Sequence, residues 1–197
     1  MFKIISEEIP YQSNSEALFE CLRDLPDAIW LDSGKPRSLQ GRFDIISACP
    51  QAILETNGEQ SYLLQNNHQS ETLKNPLDIA IDLLRKIQPI DQPRDAPFVC
   101  GLLGYFGYDF GRQSESIQSN KPRATELPDL RVGLYLWSLV IDHELRKNTL
   151  HFHPSCPLDL QQKIRTRLTE KPKIADTGFA LKKTFKATVS KDQYIDA

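Results

Sequence analysis

Few residues have types and spacing that could do chemistry, and the densest group reads FVCGLLGYFGYDFGR over positions 98–112, with glycines at 101, 104, 107 and 111. A phosphate-binding loop is the first chemistry such a run suggests. The spacing does not fit, because Gly101-x-x-Gly104-x-x-Gly107 is not G-x-G-x-x-G and no G-K-[ST] follows. Glycines in a strand instead let another backbone or a bulky ring approach closely, with Tyr105, Phe106, Tyr108 and Phe110 packing on the two faces. Asp109 and Arg112, three apart, read as a structural ion pair or loop clamp. In His151-Phe152-His153 both imidazoles share one strand face, a geometry that could bind a metal with a third ligand. No acidic residue or cysteine is close in sequence, so a solvated strand face is the simpler reading. Asp142-His143-Glu144 resembles an acid-base cluster, yet alternation puts His143 opposite its neighbours, and a strand end turning polar explains it more simply. No G-x-S-x-G elbow exposes a serine nucleophile. The basic residues from Lys163 to Lys186 read as a solvated surface and linker. No catalytic constellation rises above background in the residues alone.

The elements that must position these groups follow from pattern. Residues 2–9 read as a strand closed by Pro10. Ser13, Asn14 and Ser15 cap a helix whose apolar face is Ala17, Leu18, Cys21, Leu22 and Leu25, and Pro26 ends it. Residues 28–31 form a buried strand running into a turn at Asp32-Ser33-Gly34. Residues 42–48 and 52–56 are strands separated by Pro50, and Asn57-Gly58 turns the second into a partner at 61–65. Residues 65–73 are polar and predicted as a loop. Asn75-Pro76 starts an amphipathic helix that ends before Pro89, and 91–97 is a proline-rich connector. Residues 130–143 read as one long central strand, with a partner at 149–153 reached through a Lys147-Asn148 turn. Residues 157–169 are a surface helix with Leu160, Ile164 and Leu168 on one face, and Ser190 starts a capped helix. With no fixed-period repeat, eight or nine strands and three or four helices predict an α+β fold. It would have mostly antiparallel β-sheets in a two-sheet, sandwich-like core with a few flanking helices.

The whole-chain numbers agree. At 197 residues, with 24 Lys+Arg against 26 Asp+Glu, 40% hydrophobic and 25% charged residues, the chain can bury a self-sufficient core. Its net charge of -2 argues against a nucleic-acid binder. Cys21, Cys49, Cys100 and Cys156 are widely spaced without a C-x-x-C pair, which argues against zinc and for reduced thiols. The acidic residues after position 6 and the lack of a long apolar run argue against a signal peptide and a membrane span. A cytoplasmic protein is expected.

Gly104-Tyr105-Phe106-Gly107-Tyr108-Asp109-Phe110-Gly111-Arg112 with Glu115, then Leu127-Pro128-Asp129, then Gly133-x-Tyr135-x-Trp137 and Val140-Ile141-Asp142-His143, form an ordered series. Leu31-x-Ser33-Gly34 and Arg42-Phe43-Asp44 precede them. Together they resemble the N-terminal region of aminodeoxychorismate synthase component I, within the anthranilate synthase component I family. Anthranilate synthase large subunits share the glycine-tyrosine-aspartate core, whereas Gly111-Arg112 and the Trp137 segment are more similar to the aminodeoxychorismate branch.

The resemblance implies part of an enzyme of folate synthesis. In it a glutamine amidotransferase subunit supplies ammonia that replaces a ring hydroxyl of chorismate, giving 4-amino-4-deoxychorismate. The family's chorismate and Mg2+ sites belong to a C-terminal catalytic region whose signature blocks have no counterpart here. No catalytic residue carries over, therefore, and the chain alone is expected to be inactive. The expected division is an N-terminal domain at 1–175, with 176–197 as linker and truncated start of the catalytic domain. An anthranilate synthase component I domain, or a free-standing tryptophan-binding scaffold, are the alternatives. The resemblance also implies a tryptophan site between the two sheets. It maps onto Leu31, Ser33, Arg42 and Phe43, with Leu31 and Phe43 as apolar walls and Ser33 offering its hydroxyl and backbone groups to an amino-acid head.

Overall fold

A computed structural model describes residues 1–34, 41–66, 68–111, 127–170 and 180–196. The apolar start forms two strands rather than one: β1 (Phe2–Lys3) and β2 (Ile5–Ile9), with Ile4 buried between them. β1 pairs in parallel with β8 (Ile90–Asp91), a two-residue strand at the edge of the proline-rich connector. Helix α1 (Ser15–Glu20) begins where Asn14 accepts a hydrogen bond from the Ala17 amide, as its capping chemistry predicts. It stops five residues before Leu25. Leu22 and Leu25 are buried by successive tight turns instead, Leu22 N to Phe19 O at 2.8 Å and Leu25 N to Leu22 O at 2.9 Å.

Two five-stranded antiparallel sheets share one core. The first has the order β7-β6-β5-β10-β9, with β5 at Ala52–Asn57, β6 at Gln60–Gln65, β7 at His68–Thr72, β9 at Gly101–Phe106 and β10 at Leu130–Tyr135. The second has the order β2-β12-β11-β4-β3, with β3 at Ile29–Leu31, β4 at Phe43–Ser47, β11 at Trp137–Asp142 and β12 at Lys147–Phe152. The expected α+β architecture is therefore present, with twelve strands among the described residues.

Four further sequence expectations change in the strands and turns. The long strand at 130–143 is two strands, broken at Leu136, where the chain passes from the first sheet to the second. An uninterrupted apolar run carries no mark of that switch, because every residue from Val132 to Asp142 is buried on one sheet or the other. The return turn lies at 143–146, with Arg146 at φ +53°, so Lys147 and Asn148 are already in β12. The polar stretch at 65–73 contains β7, an exposed edge strand with no apolar alternation to betray it. The hairpin loop is Gly58-Glu59, one residue later than read, with Gly58 at φ +57° in the first loop position.

Helix α2 (Pro76–Arg85) is capped by Asn75 and lays Ile79, Ala80 and Leu83 on the first sheet. Helix α3 (Leu158–Thr169) buries Ile164 fully, and Arg165 reaches back to Glu7 on β2 at 2.5 and 2.8 Å while lying over the Phe152 ring. Helix α4 (Lys191–Ile195) has the reciprocal Ser190–Gln193 capping box and no buried residue. Trp137, Phe152, Leu139, Ile141 and Leu150 are fully buried on the second sheet, each worth roughly 1.5–3 kcal/mol of burial. The Trp137 indole N–H donates to the Ala48 carbonyl at 2.8 Å, tying β11 to the β4–β5 crossing. No helix among the described residues is long and apolar enough to cross a membrane.

His151 and His153 do not form a solvated face: they are 4% and 0% exposed. The His151 Nδ1 is 2.9 Å from the Ser6 hydroxyl, and burial pushes its pKa down from 6.5 to about 4. An unfolded histidine takes up a proton below about pH 6.5, whereas the folded one stays neutral until about 4. Stability is therefore retained above pH 6.5 and lost as pH falls from 6.5 towards 4. At 1.36 kcal/mol per pH unit the loss is worth roughly 3 kcal/mol. Thermal melting between pH 7 and pH 4.5 should show this decline, and His151→Gln should flatten it.

Candidate functional site

The four residues that the sequence singles out lie where β3 runs past β4 at the edge of the second sheet. Register pairs Leu31 with Ile45, so the chain beyond Leu31 brings Ser33 against Phe43. The Ser33 hydroxyl donates to the Phe43 carbonyl at 2.5 Å, and the Ser33 amide donates to Asp44 Oδ1 at 2.9 Å. The Asp32 carboxylate folds over the turn and accepts from the Gly34 amide at 2.9 Å. Gly34, at φ +74°, supplies the backbone conformation that this turn needs. Leu31 and Phe43 lie on one face of the sheet, Asp44 and Ile46 on the other. Arg42 stacks on the Phe43 ring at 4.6 Å and grips Asp142 through Nε and Nη2, at 2.6–3.1 Å, with Glu144 3.4 Å away.

The Asp142-His143-Glu144 segment is not merely a strand end turning polar. It clamps the Arg42–Asp44 stretch from both faces. On one face, Asp142 holds the Arg42 guanidinium. Burial opposes ionisation of Asp142, but the Arg42 bond and the amides of Leu145 and Glu144 outweigh it and hold the carboxyl below the usual range. On the other face, His143 Nε2 lies 2.8 Å from Asp44 Oδ2, which also accepts from the Ser15 hydroxyl at the start of α1. The His143 amide bonds the Arg42 carbonyl at 3.0 Å, and the Tyr11 hydroxyl lies 3.2 Å from His143 Nδ1. With the proton on Nε2, the ring donates to Asp44 and accepts from Tyr11. The alternation that sets His143 opposite its neighbours is what allows the double grip. Ser15, Asp44 and His143 are not a nucleophilic triad: Ser15 Oγ lies 3.4 Å from His143 Nε2, but that nitrogen and the hydroxyl both bind the Asp44 carboxylate, which in a triad would sit behind the ring at Nδ1.

Phe43 also forms one wall of a half-open cavity of about 280 Å³, with Pro93, Ala96, Val140 and Leu145 as apolar lining and Asp95, Lys147 and His151 as polar lining. Leu31, Ser33 and Arg42 do not line it. The structure thus gathers all four residues at one corner, with Phe43 joining that corner to the cavity. Sequence reasoning missed Ser15 and Asp44 as parts of the site. The signal was available for Asp44: an acidic residue inside the apolar strand Phe43-Asp44-Ile45-Ile46, in phase with its buried positions. Phe106 and Tyr108 of the glycine-rich run are exposed at 56% and 101% and do not pack as expected, although Phe110 meets the Phe106 edge. The Asp109–Arg112 pair falls outside the described side chains. Among the described residues no three His, Cys, Asp or Glu side chains converge as a metal site. The four cysteines are free, and burial pushes Cys100 up to about 11 and Cys156 up to about 12, far from thiolate nucleophiles.

Comparison with known proteins agrees with this architecture. A family model described as a chorismate binding enzyme matches residues 26–197. The chain is 33% identical to aminodeoxychorismate synthase component 1 of Klebsiella aerogenes over 94% of its own length and 41% of that protein's. It is 35% identical to the Escherichia coli protein of the same name over 72% of its length and 32% of that protein's. It therefore spans between about a third and two fifths of these relatives. A crystal structure of anthranilate synthase component I from Streptococcus pneumoniae shares the fold, with a TM-score of 0.51 and 21% identity over 68% of this chain and 31% of that one.

Proposed function

We propose, from the premise that this chain belongs to the chorismate-binding enzyme family, that it is the N-terminal non-catalytic part of an aminodeoxychorismate synthase component I. The observation that carries the reading is the 33% identity to that enzyme across 94% of the chain. In the whole protein, ammonia from a glutamine amidotransferase partner replaces a ring hydroxyl of chorismate, giving 4-amino-4-deoxychorismate for folate synthesis in the cytoplasm. Magnesium belongs in this reading to the C-terminal region. The present chain supplies the sheets on which that region packs, helps to dock the partner, and carries a tryptophan site at the Leu31, Ser33, Arg42 and Phe43 corner. The buried Asp44 that holds Ser33 supports such a site, since a carboxylate is rarely buried without a structural or binding task.

The test is product identity. The full-length protein, incubated with chorismate, magnesium and ammonia, should form 4-amino-4-deoxychorismate, whereas the 197-residue chain should form no product. Anthranilate as the product would refute the assignment, and turnover by the short chain would refute its non-catalytic role.

A further inference from the structure

The first sheet ends on an open strand. The β6–β7 hairpin closes with Gln65 opposite His68, and Asn66, at φ +53°, lies in its two-residue loop. Such a loop joins a pair that exchanges both backbone bonds, and the bonded pairs then alternate, Leu63 with Ser70 and Ser61 with Thr72. The N–H and C=O groups of Gln69 and Glu71 therefore point away from the sheet, and among the described residues no strand pairs with them. The register of β7 runs without proline or bulge, two of the devices that blunt such an edge.

Beside this edge a half-open groove of about 340 Å³ lies between β7 and α2. Its apolar floor is Leu63, Ile79 and Leu83, and the β7 side chains that line it, Ser70 and Thr72, are small. Two lysines of the lining stand at opposite ends of the strand: Lys74 two residues past its end, and Lys86 with Nζ 3.5 Å from Gln65 Oε1, beside its start. Among the described residues neither lysine has an ion pair, whereas Asp82, the acidic residue of the lining, is matched by Arg85 at 2.9 Å. Glu71 belongs to the opposite face, where Gln60 donates to its carboxylate at 3.0 Å.

We propose that this edge and groove bind an extended acidic segment of a partner protein, added to β7 as a sixth strand. The outward groups of Gln69 and Glu71 hydrogen-bond its backbone, and the groove reads its side chains. Side chains alternate along a strand, so the first, third and fifth residues of the segment face α2 over about 13 Å. The pattern acid-x-apolar-x-acid then sets the apolar side chain over Leu63, Ile79 and Leu83 and brings one carboxylate to each lysine. A basic segment would meet two unpaired cations. A second copy of β7 fits poorly, because the residues it would turn to the groove are His68, Ser70 and Thr72, with neither an apolar side chain nor a carboxylate among them.

Calorimetry and amide hydrogen exchange on the full-length protein test this with two peptides: acetyl-Thr-Glu-Thr-Ile-Thr-Glu-Thr-amide, and its counterpart with lysine in place of both glutamates. The acidic peptide should bind saturably at millimolar concentration and slow exchange at the Gln69 and Glu71 amides. It should bind about tenfold more tightly than the basic peptide, in which two exposed ion pairs become two repulsions. No heat and no slowing at millimolar concentration, or equal affinities for the two peptides, overturn the proposal. Slow exchange at Gln69 and Glu71 in the protein without peptide also overturns it, since the edge is then covered by another part of the protein or by a second copy. Gln69→Pro removes one outward donor and leaves the bonds to β6, so the variant should melt within a few degrees of its parent while the acidic peptide binds at least about fivefold more weakly. Undiminished binding by this variant overturns strand addition. Lys74→Glu combined with Lys86→Glu, both at exposed positions, should invert the preference between the two peptides; an unchanged preference overturns the acidic specificity.

Discussion

Gly104→Ala is expected to leave little or no soluble, cooperatively folding protein. Gly104 stands in β9 opposite Val132 of β10, and its φ of +155° is a conformation that side chains with a Cβ rarely adopt. A Cβ built there would fall 2.1 Å from the Arg131 carbonyl oxygen and 2.7 Å from the Val132 Cα. Both atoms are backbone in a central strand, hydrogen-bonded to β5 on its other side, so neither can yield without unzipping the first sheet. Backbone strain of about 1–3 kcal/mol adds to an overpacking cost of similar size. Together they approach the 5–15 kcal/mol that holds a typical domain folded. Gly111→Ala is the control within the same motif, because a Cβ there meets nothing within 4 Å; it should change stability by less than about 0.5 kcal/mol. Soluble yield and thermal melting of the two variants give the comparison. A Gly104→Ala protein that melts within a few degrees of its parent would contradict the account.

That pair of glycines also marks how far the sequence could be read. The close-approach role assigned to the glycine run holds for Gly104, where the neighbouring strand is the reason, but the rings between the glycines are not the packing partners. Tyr105 is 37% exposed and Tyr108 fully so. Local chemistry was legible wherever a single residue dictates it: the Asn14, Asn75 and Ser190 caps and the Gly58 turn all fall at or within one residue of the expected place. What failed depends on partners distant in sequence. Whether residues 130–142 make one strand or two is decided by which sheet offers a free edge, β5 for the first half and β4 for the second. The burial of His151 depends on β2, and the meaning of Asp142-His143-Glu144 depends on residues about a hundred positions earlier. Asp44 could have been flagged by its parity in an apolar strand, yet its partners Ser15 and His143 come from two other elements that no local pattern connects.

Asp44→Ala should therefore cost far more stability than an average substitution, about 3–5 kcal/mol. The carboxylate is fully buried and accepts from the Ser15 hydroxyl, the His143 Nε2 and the Ser33 amide. Removing it strands the Ser15 and His143 donors, which were desolvated on folding, each leaving a penalty of about 1–3 kcal/mol unless water enters, and it also unties the Ser33 amide of the exposed turn. The damage is also spread topologically, since those donors come from the start of α1, the end of β11 and the turn after β3. Asp44→Asn keeps the volume but gives up one acceptor oxygen for an amide that faces donors, so about 2–4 kcal/mol is expected. Asp142→Ala provides the contrast on the opposite sheet face. Its partner Arg42 is about a third exposed and can be rehydrated or turn to Glu144, so the loss should stay near 1–2 kcal/mol. Denaturant unfolding of the three variants ranks them, with Asp44→Ala lowest. If Asp142→Ala proved as costly as Asp44→Ala, the corner would be held chiefly from its Arg42 face, and the buried Asp44 would have lost its claim to organise it.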